Sequence, residues 1–310
     1  MFSLEQPNQI IFGNNSASKF IFPSNCLVIT SKGAVERGWI KYLKLNKFEI
    51  FDQVEPNPSF ETVQKICSEF QKNSFSTIVG IGGGSSLDVA KYVGFKLNKK
   101  KILIPTTFGS GSEVTKHSVL TIDGKKTSLH DKNFFADIAI IDPNFLKNTP
   151  SDVLKNSAID ACAQCTEGFD SKIGNSFTKF LCSKAFDILE DSIINENYEN
   201  LAFGSLLAGL GFGNCSTTLG HALSYVFSNQ GYSHGHALAF TTYESHKFNK
   251  SQFTNRFYKI REKLDFNKIV LKVDIDEAVE TIMLDKKHLD NNPVIVKKED
   301  VKKILSKFIE

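Results

Sequence analysis

Three of the seven histidines, His221, His234 and His236, lie within a stretch of sixteen residues. Far upstream, Asp160 and Gln164 are polar residues in an otherwise apolar stretch, and their spacing of four places them on one face of a helix. Imidazole nitrogens and a carboxylate oxygen from separate segments form a ligand set for a divalent metal ion. The spacing alone leaves a second explanation open, in which His221 is a hydrogen-bonded histidine of the core.

Helices would have to position these side chains, and the second half of the chain has the residue pattern of a helical domain. Amphipathic stretches replace β-branched runs there. Apolar residues at helical spacing predict helices over 153–169 and 216–227, followed by a loop over 229–235. This arrangement would place His221 inside a helix and His234 just after its end.

The first half of the chain predicts a nucleotide-binding sheet. Apolar runs that end in small or polar residues cover 26–32, 76–86, 101–113 and 136–143, and amphipathic stretches cover 61–73 and 86–100. This alternation is typical of a Rossmann-like parallel sheet, in which ligands bind at the carboxyl ends of the strands. We therefore expect an α/β fold with a dinucleotide-binding domain over 1–150. An all-α metal- and substrate-binding domain would follow over 151–310, with the boundary at Pro150.

Two loops rich in glycine and hydroxyl groups follow neighbouring predicted strands. The segment 82–86, GGGSS, opens a helix, so its backbone can approach a pyrophosphate and offer free N–H groups. It lacks the GxGxxG spacing, and alone it would equally suit a tight turn between strand and helix. The segment 105–113, PTTFGSGSE, adds four hydroxyl groups at the next strand end. Two such loops at one edge of a sheet favour a nucleotide site.

Composition argues against several classes of function. The 310 residues are 41% hydrophobic and carry a net charge of +3, which is ordinary for a globular protein and gives no electrostatic case for nucleic acid. No apolar run approaches the ~18 residues of a membrane span, and the first residues, MFSLEQPNQIIFG, lack the pattern of a signal peptide, so we expect a cytoplasmic protein. Six scattered cysteines predict free thiols. Cys162 and Cys165 form a single CxxC, for which a zinc or redox role is not expected.

Five motifs, in order, resemble those of the iron-containing alcohol dehydrogenase family, which shares its fold with glycerol dehydrogenase and 3-dehydroquinate synthase. They are GGGSSLDVAK (82–91), PTTFGSGSEVT (105–115), DGKKTSLHDKNFFADIAIIDP (123–143), DACAQ (160–164) and HALSYVFSNQGYSHG (221–235). The family patterns they resemble include GGGSxxDxAK, PTTxGTGSE, DAxxH and HxxxH…HG. The resemblance implies an NAD(P)-dependent alcohol dehydrogenase or aldehyde reductase, with NAD or NADP and a divalent metal, Fe or Zn, as cofactors.

The resemblance also implies roles for individual residues. The metal ligands would be Asp160, His221 and His234, with Gln164 where the family usually has histidine. The cofactor-binding residues would be Gly82, Gly83, Gly84, Ser85, Asp88, Thr106, Thr107, Ser110 and Lys126. Asp88 matches a position near the nicotinamide, although a carboxylate there could equally serve only the helix dipole.

Departures from the family pattern resemble one branch of it. Tyr225 replaces the second histidine of HxxxH, which is often given a proton-relay role. Together with DAxxQ and the tail 288–305, this resembles the phosphonoacetaldehyde reductase branch, which reduces phosphonoacetaldehyde to 2-hydroxyethylphosphonate. We expect Tyr225 or His236 to relay a proton through water, or His236 only to support the ligands. Thr217 and Thr218 could bind a phosphonate or simply begin a helix.

Other interpretations stay open at this point. A lyase of the dehydroquinate synthase type would use NAD and a divalent metal on the same fold, but the motifs contain few basic residues for its substrate. A non-catalytic relative would explain Gln164 and a short C-terminal part. No acidic residue follows the strand at Thr30-Ser31-Lys32, which mildly favours tolerance of NADPH. The expected partner is a small aldehyde or alcohol, and a homodimeric assembly is left open.

Overall fold

A computed structural model describes residues 1–309, apart from the side chain of Tyr198, and divides them into two compact units. One unit consists of residues 3–150. The other consists of Met1 and Phe2 together with the chain from Ser151 onward.

The first unit is built on a six-stranded sheet in which every paired strand runs parallel to its neighbours. In chain order, the unit's strands are β1 (Gln9–Phe12), β2 (Cys26–Ile29), β3 (Phe48–Phe51), β4 (Thr77–Gly82), β5 (Lys100–Pro105), β6 (His117–Ile122), β7 (Lys125–His130) and β8 (Ile138–Ile141). The sheet order is β1-β8-β5-β4-β2-β3, and β6 and β7 form a separate antiparallel hairpin. The residues of β4 are all buried, as expected of a central parallel strand that is covered on both faces.

Short and medium-length helices connect these strands. They are α1 (Ser16–Lys19), α2 (Lys32–Glu36), α3 (Trp39–Tyr42), α4 (Phe60–Phe70) and α5 (Gly84–Lys96), with 3₁₀ turns at Ser112–Val114, Lys132–Phe134 and Pro143–Asn148. On α4, Val63, Ile66 and Phe70 form the buried stripe, and Ser59 caps the helix by accepting from the backbone N–H of Thr62.

The predicted α/β fold is confirmed, with shorter elements. The strands predicted from apolar runs end at Ile29, Gly82, Pro105 and Ile141 because the small and polar residues that follow belong to loops. The sequence pattern does not reveal β1 or β3, since each has only four residues and a partly exposed face. The hairpin is also unforeseen, because its strands carry polar residues on both faces.

The second unit contains helices and, within residues 151–309, no β-strand. The helices are α6 (Ser151–Asp170), α7 (Ser176–Asn195), α8 (Tyr198–Phe212), α9 (Leu219–Asn229), α10 (His234–Asn249), α11 (Thr254–Leu264), α12 (Ile275–Met283), α13 (Lys286–Asn291) and α14 (Lys298–Leu305), with a 3₁₀ turn at Ser306–Phe308. The loop predicted over 229–235 is shorter than expected, because His234 and Gly235 already belong to α10. No described helix is both long and apolar enough to cross a membrane.

Helix α9 forms the centre of this unit's core. Its residues Leu223, Val226 and Phe227 are buried in one cluster with apolar residues of α12 and α14. Each such side chain contributes about 1.5–3 kcal/mol when it is removed from water. The backbone of His221, on the same helix, is therefore held by packing that is independent of any ligand.

Candidate metal centre and nucleotide-binding loops

Three side chains that are distant in sequence meet in the helical unit. Asp160 lies on α6, His221 on α9 and His234 at the start of α10. One ligand atom from each lies within 4.8 Å of the other two. His221 is buried, whereas Asp160 and His234 are half-buried. The structure therefore groups a carboxylate and two imidazoles that can together coordinate one divalent metal ion.

A further acidic residue, Glu167, fixes the orientation of His221. Its side chain is fully buried on α6. One carboxylate oxygen lies 2.5 Å from Nδ1 of His221, and the backbone N–H groups of Thr218 and Gly220 donate hydrogen bonds of 3.2 and 2.5 Å to the carboxylate. When Nδ1 donates to Glu167, Nε2 of His221 is left without a proton and can bind a metal. That atom faces Asp160, 3.9 Å from its Oδ1.

The contacts of Glu167 explain its ionisation. Burial raises the pKa of this carboxyl, but the charge and hydrogen bond of His221, with the backbone N–H group of Thr218, outweigh burial and lower the pKa to about 2. Glu167 is not among the site residues predicted from the sequence. A signal exists, because positions 160, 164 and 167 share one helix face, but spacing alone does not distinguish a buried glutamate from an exposed one.

Gln164 lies beside the three grouped side chains. Its Nε2 donates a 2.9 Å hydrogen bond to Oδ1 of Asp160. Its Oε1 is buried, and no residue that the structure describes donates a hydrogen bond to it. A buried acceptor without a donor is costly, so a cation at this position would suit the amide oxygen. The donor set thus fits a metal with Gln164 either as a weak oxygen ligand or as the partner that orients Asp160.

Close packing between α6 and α10 explains the glycine after His234. A Cβ atom on Gly235 would lie only 2.1 Å from the backbone oxygen of Asn156. Next to it, the hydroxyl of Ser233 donates a 2.6 Å hydrogen bond to the side chain of Asn156. The first turn of α10 can therefore lie directly against α6, which places His234 near Asp160.

Tyr225 and His288 border the grouped ligands. The Tyr225 ring lies 6.1 Å from that of His234, and burial raises its pKa, so the hydroxyl keeps its proton. His288 of α13 stacks on His221 with centroids 6.2 Å apart, and its Nδ1 lies 2.6 Å from Asp285. Burial lowers the pKa of His288 despite this carboxylate. Nothing in the spacing of the sequence points to His288, because it lies far from the other histidines.

His236 does not belong to the group of candidate ligands. It is two residues after His234 on α10, so the two side chains point to different sides of the helix. Its Nε2 forms a 2.6 Å hydrogen bond with the backbone oxygen of Asn267, and its ring stacks on Phe266. These contacts anchor α10 to the segment after α11, and the proton-relay role of His236 stays a prediction.

Thr217 and Thr218 lie immediately before α9 and are buried. The backbone N–H of Thr218 already donates to Glu167, and the Thr217 carbonyl accepts from Asn291. The ionised carboxylate of Glu167 so close to Thr218 disfavours an anionic phosphonate there. Thr218 occupies the N-cap position of α9, but its hydroxyl makes no cap hydrogen bond and has no partner among the described residues, so both expected roles stay predictions.

The CxxC pair has no features of a metal site. Cys162 and Cys165 are both buried on α6, and the Cys165 thiol donates to the backbone oxygen of Cys162. Burial raises the pKa of both thiols, which disfavours the thiolate that metal binding requires.

In the sheet unit, the two predicted nucleotide-binding loops lie side by side. Strands β4 and β5 place Gly82 opposite Pro105, and the Thr106 N–H donates to the Gly82 carbonyl at 2.9 Å. Gly83 caps α5 without a side-chain hydrogen bond. A Cβ atom on Gly83 or Gly84 would lie 3.1 Å from the side chain of Thr107 or Ser110, respectively. The helix start and the second loop therefore lie against each other at the carboxyl ends of β4 and β5, where the N–H groups of Gly84, Ser85 and their neighbours can bind an anion.

Asp88 connects α5 to the neighbouring segments. Its carboxylate accepts from the Ser112 hydroxyl at 2.6 Å and the Val119 N–H at 3.1 Å, and it pairs with the buried Lys91 at 3.2 Å. These contacts fasten the second loop and the hairpin to α5, so the structure supports a structural role for Asp88.

Two further residues predicted to bind the cofactor, Thr106 and Lys126, differ in their burial and contacts. The Thr106 hydroxyl is buried and has no hydrogen-bond partner among the residues described. Lys126 lies on β7, opposite Thr121 and half-buried. Both stay predictions.

Comparison with known proteins places these features in a family. Residues 7–143 match the family described as iron-containing alcohol dehydrogenase, and residues 155–282 match the C-terminal part of the Fe-containing alcohol dehydrogenase family. The 4-hydroxybutyrate dehydrogenase of Clostridium kluyveri is 30% identical over 265 residues, covering 74% of this chain and 70% of that protein. Some other curated relatives match over only 25% to 54% of their own length.

Solved structures share the fold of this chain. An iron-containing alcohol dehydrogenase from Thermotoga maritima superposes with a TM-score of 0.88 at 25% identity, covering 100% of this chain and 99% of that one. Sulfoacetaldehyde reductase from Bifidobacterium kashiwanohense, solved in complex with NAD+, gives a TM-score of 0.90 at 24% identity over 99% and 98% of the two chains.

The different placements of the histidines generate a first prediction. His221→Ala should abolish stoichiometric Zn²⁺ binding, because it removes a candidate ligand beside Asp160, whereas His236→Ala should retain it. Isothermal titration of the folded, metal-free proteins measures both. Equal loss of metal from the two variants would contradict the assignment of roles.

Glu167 generates a second prediction. Glu167→Gln should weaken Zn²⁺ binding by about 10- to 100-fold, as is usual when the partner of a ligating histidine is removed. Chelator competition gives the affinity, with Glu299→Gln, an exposed residue of α14, as the control. Unchanged affinity would show that Glu167 does not act on His221.

Gln164 generates a third prediction. Gln164→His should tighten Zn²⁺ binding by about 10-fold or more, because imidazole nitrogen is a better donor to Zn²⁺ than an amide oxygen. The same competition assay applies, with Gln164→Ala to measure the native contribution. If the histidine variant binds no more tightly, position 164 is not a ligand position.

Proposed function

Since this chain belongs to the iron-containing alcohol dehydrogenase family, we propose that it reduces a small anionic aldehyde to the corresponding alcohol, with phosphonoacetaldehyde as the leading candidate. The chain is an NAD(P)-dependent alcohol dehydrogenase of a family that uses a nicotinamide cofactor and a divalent metal. The observation that supports the metal-dependent reduction is the group of Asp160, His221 and His234, with Glu167 bonded to His221. The anionic substrate rests on the resemblance of Gln164 and Tyr225 to the phosphonoacetaldehyde reductase branch.

The chain's own residues have separate tasks in this reaction. Asp160 and the Nε2 atom of His221 would hold the metal together with His234, and Glu167 keeps His221 in the tautomer that this requires. When bound, the metal supplies Lewis acidity to a carbonyl oxygen and the nicotinamide supplies hydride. The burial of His221 and Glu167 keeps water from competing for these groups.

Proton delivery falls to the residues at the border of the metal site. The Tyr225 hydroxyl keeps its proton because burial raises its pKa, so it can donate a hydrogen bond through Oη toward a substrate oxygen. We propose that Tyr225 orients the water that supplies the proton. We assign no part in this step to His236, since its Nε2 is engaged with Asn267.

The nucleotide would bind at the start of α5 in the sheet unit. Gly83 and Gly84 lie against Thr107 and Ser110, and the uncapped helix start offers N–H groups to a diphosphate. No acidic side chain follows β2 at Ser31, so we propose that the enzyme accepts NADPH as well as NADH.

Three lines of support favour an anionic aldehyde. The replacements Gln164 and Tyr225 resemble the phosphonoacetaldehyde reductase branch. A sulfoacetaldehyde reductase shares the fold, which supports the idea that this fold accommodates a small aldehyde with a tetrahedral anionic group. The similarity to a 4-hydroxybutyrate dehydrogenase also favours a negatively charged substrate, because 4-hydroxybutyrate carries a carboxylate.

The test is an NAD(P)H oxidation assay on the Zn²⁺- or Fe²⁺-loaded protein with phosphonoacetaldehyde, sulfoacetaldehyde and neutral propanal. We expect kcat/KM to be at least ~10-fold higher for the phosphonate than for propanal, equivalent to about 1.4 kcal/mol of transition-state stabilisation. His221→Ala should be inactive with every aldehyde.

Three outcomes would contradict parts of the proposal. A preference for propanal would refute the anionic substrate and leave the reaction class intact. No oxidation of either cofactor by any aldehyde would refute the reaction. Tightly held NAD that is recycled within one turnover would instead indicate the dehydroquinate synthase-like lyase.

A further inference from the structure

Two consecutive asparagines near the C-terminal end contact segments next to all three helices that carry candidate metal ligands. Asn291 is the last residue of α13, and Asn292 follows it. Their exposures are 5% and 0%. Both lie beyond residues 155–282, where the family match ends. We call Asn291 and Asn292 the asparagine clasp.

Asn291 joins the end of α6 to the segment that leads into α9. Its Nδ2 donates to the backbone oxygens of Cys215 and Thr217, at 2.9 and 3.0 Å. Its Oδ1 accepts from the Ile173 N–H at 3.2 Å, and its own carbonyl accepts from the Lys172 N–H at 2.9 Å. Both amide protons and the amide oxygen are therefore engaged. The two segments that Asn291 joins lead directly to the helices of Asp160 and His221.

Asn292 joins the start of α9 to the end of α10. Its Oδ1 accepts from the Leu219 N–H at 3.4 Å and from the Asn249 amide at 2.8 Å. Its Nδ2 donates to Oδ1 of Asn249 and to the backbone oxygen of Val294, both at 2.8 Å. Leu219 is the first residue of α9 and Asn249 is the last of α10. Asn292 therefore ties the helix of His221, through the Leu219 N–H, to the helix of His234, through the reciprocal amide pair with Asn249.

Hydrogen bonds of this kind constrain the relative position of helices more precisely than apolar packing does. A metal site tolerates errors of only about 0.5 Å in its ligands, and Asp160, His221 and His234 are far apart in sequence. Apolar packing holds helices together without preferred bond directions, whereas buried amides with every donor used also fix the direction and length of the contacts between the segments that they join.

We propose that the asparagine clasp positions the three ligand-bearing helices, so that Asn291 and Asn292 determine the affinity and coordination geometry of the metal site. The clasp does not contact the grouped ligand atoms and acts through the helices, which makes the two asparagines positioning residues. The proposal rests on the metal site of the proposed function and is independent of the substrate.

The experiment measures metal binding by Asn291→Ala and Asn292→Ala in the full-length chain. Chelator competition gives the Zn²⁺ affinity, the visible absorption spectrum of the Co²⁺-loaded protein reports ligand geometry, and thermal unfolding of the metal-free protein reports stability. Asn175→Ala is the matched control, because Asn175 caps α7, a helix without ligands, and its loss destabilises the same unit.

We expect each clasp variant to lose about 10-fold or more in Zn²⁺ affinity and to shift the Co²⁺ spectrum. Asn175→Ala should lower the unfolding temperature and leave both metal readouts unchanged. Wild-type affinity and spectrum in folded clasp variants would overturn the proposal while leaving the metal site intact. Failure of the wild-type protein to bind Zn²⁺ or Co²⁺ would overturn both the clasp and the proposed function.

A second variant covers the case in which Asn292→Ala does not fold. Asn249→Ala removes only the α10 side of the amide pair and changes a half-buried residue. It should weaken Zn²⁺ binding less than Asn292→Ala and shift the Co²⁺ spectrum in the same direction. An unchanged spectrum in folded Asn249→Ala would refute the link between α10 and the clasp.

Discussion

The contact between Glu167 and His221 determines the arrangement of the helical unit's candidate site. A fully buried carboxylate is tolerated only where several donors compensate for the loss of water, and here the imidazole and the backbone N–H groups of Thr218 and Gly220 do so. Because these donors come from the first turn of α9 and the residue before it, the charge of Glu167 fixes both the ring of His221 and the position of its helix. Glycine is required at position 220, because a Cβ atom there would lie 2.4 Å from a carboxylate oxygen of Glu167.

The same constraint explains why α6 carries so many polar groups on a buried face. Asp160, Gln164 and Glu167 follow one another along one side of the helix, and each has a different partner. Glu167 faces an imidazole, Gln164 donates to Asp160, and Asp160 lies within reach of both candidate histidine ligands. Removing any member would leave another polar atom buried without compensation, so the three are best understood as a single network.

Much of this organisation could be predicted from local sequence. Continuous apolar runs such as 77–82 indicate buried parallel strands, and the polar residues at 160 and 164 indicate a helix face with a special environment. Glu167 and His288 escaped prediction for a different reason. Their significance depends on contacts with residues more than fifty positions away, which neither periodicity nor spacing encodes. His236 illustrates the converse, because proximity in sequence to His234 says little about proximity in space when two residues are separated by half a helical turn.

The departures Gln164 and Tyr225 are best considered together with His288. Replacing an imidazole ligand by an amide oxygen weakens the bond to a transition metal, and replacing a second imidazole by Tyr225 removes a group that changes charge near neutral pH. His288 stacks on His221 and lies 5.8 Å from Tyr225, held by Asp285. An imidazole therefore still lies beside the candidate metal ligands, and α13 supplies it. Since α13 also carries Asn291 and is followed by Asn292, which bond to segments next to the three helices with candidate ligands, a change in this one segment would alter both the ring beside His221 and the contacts between those helices.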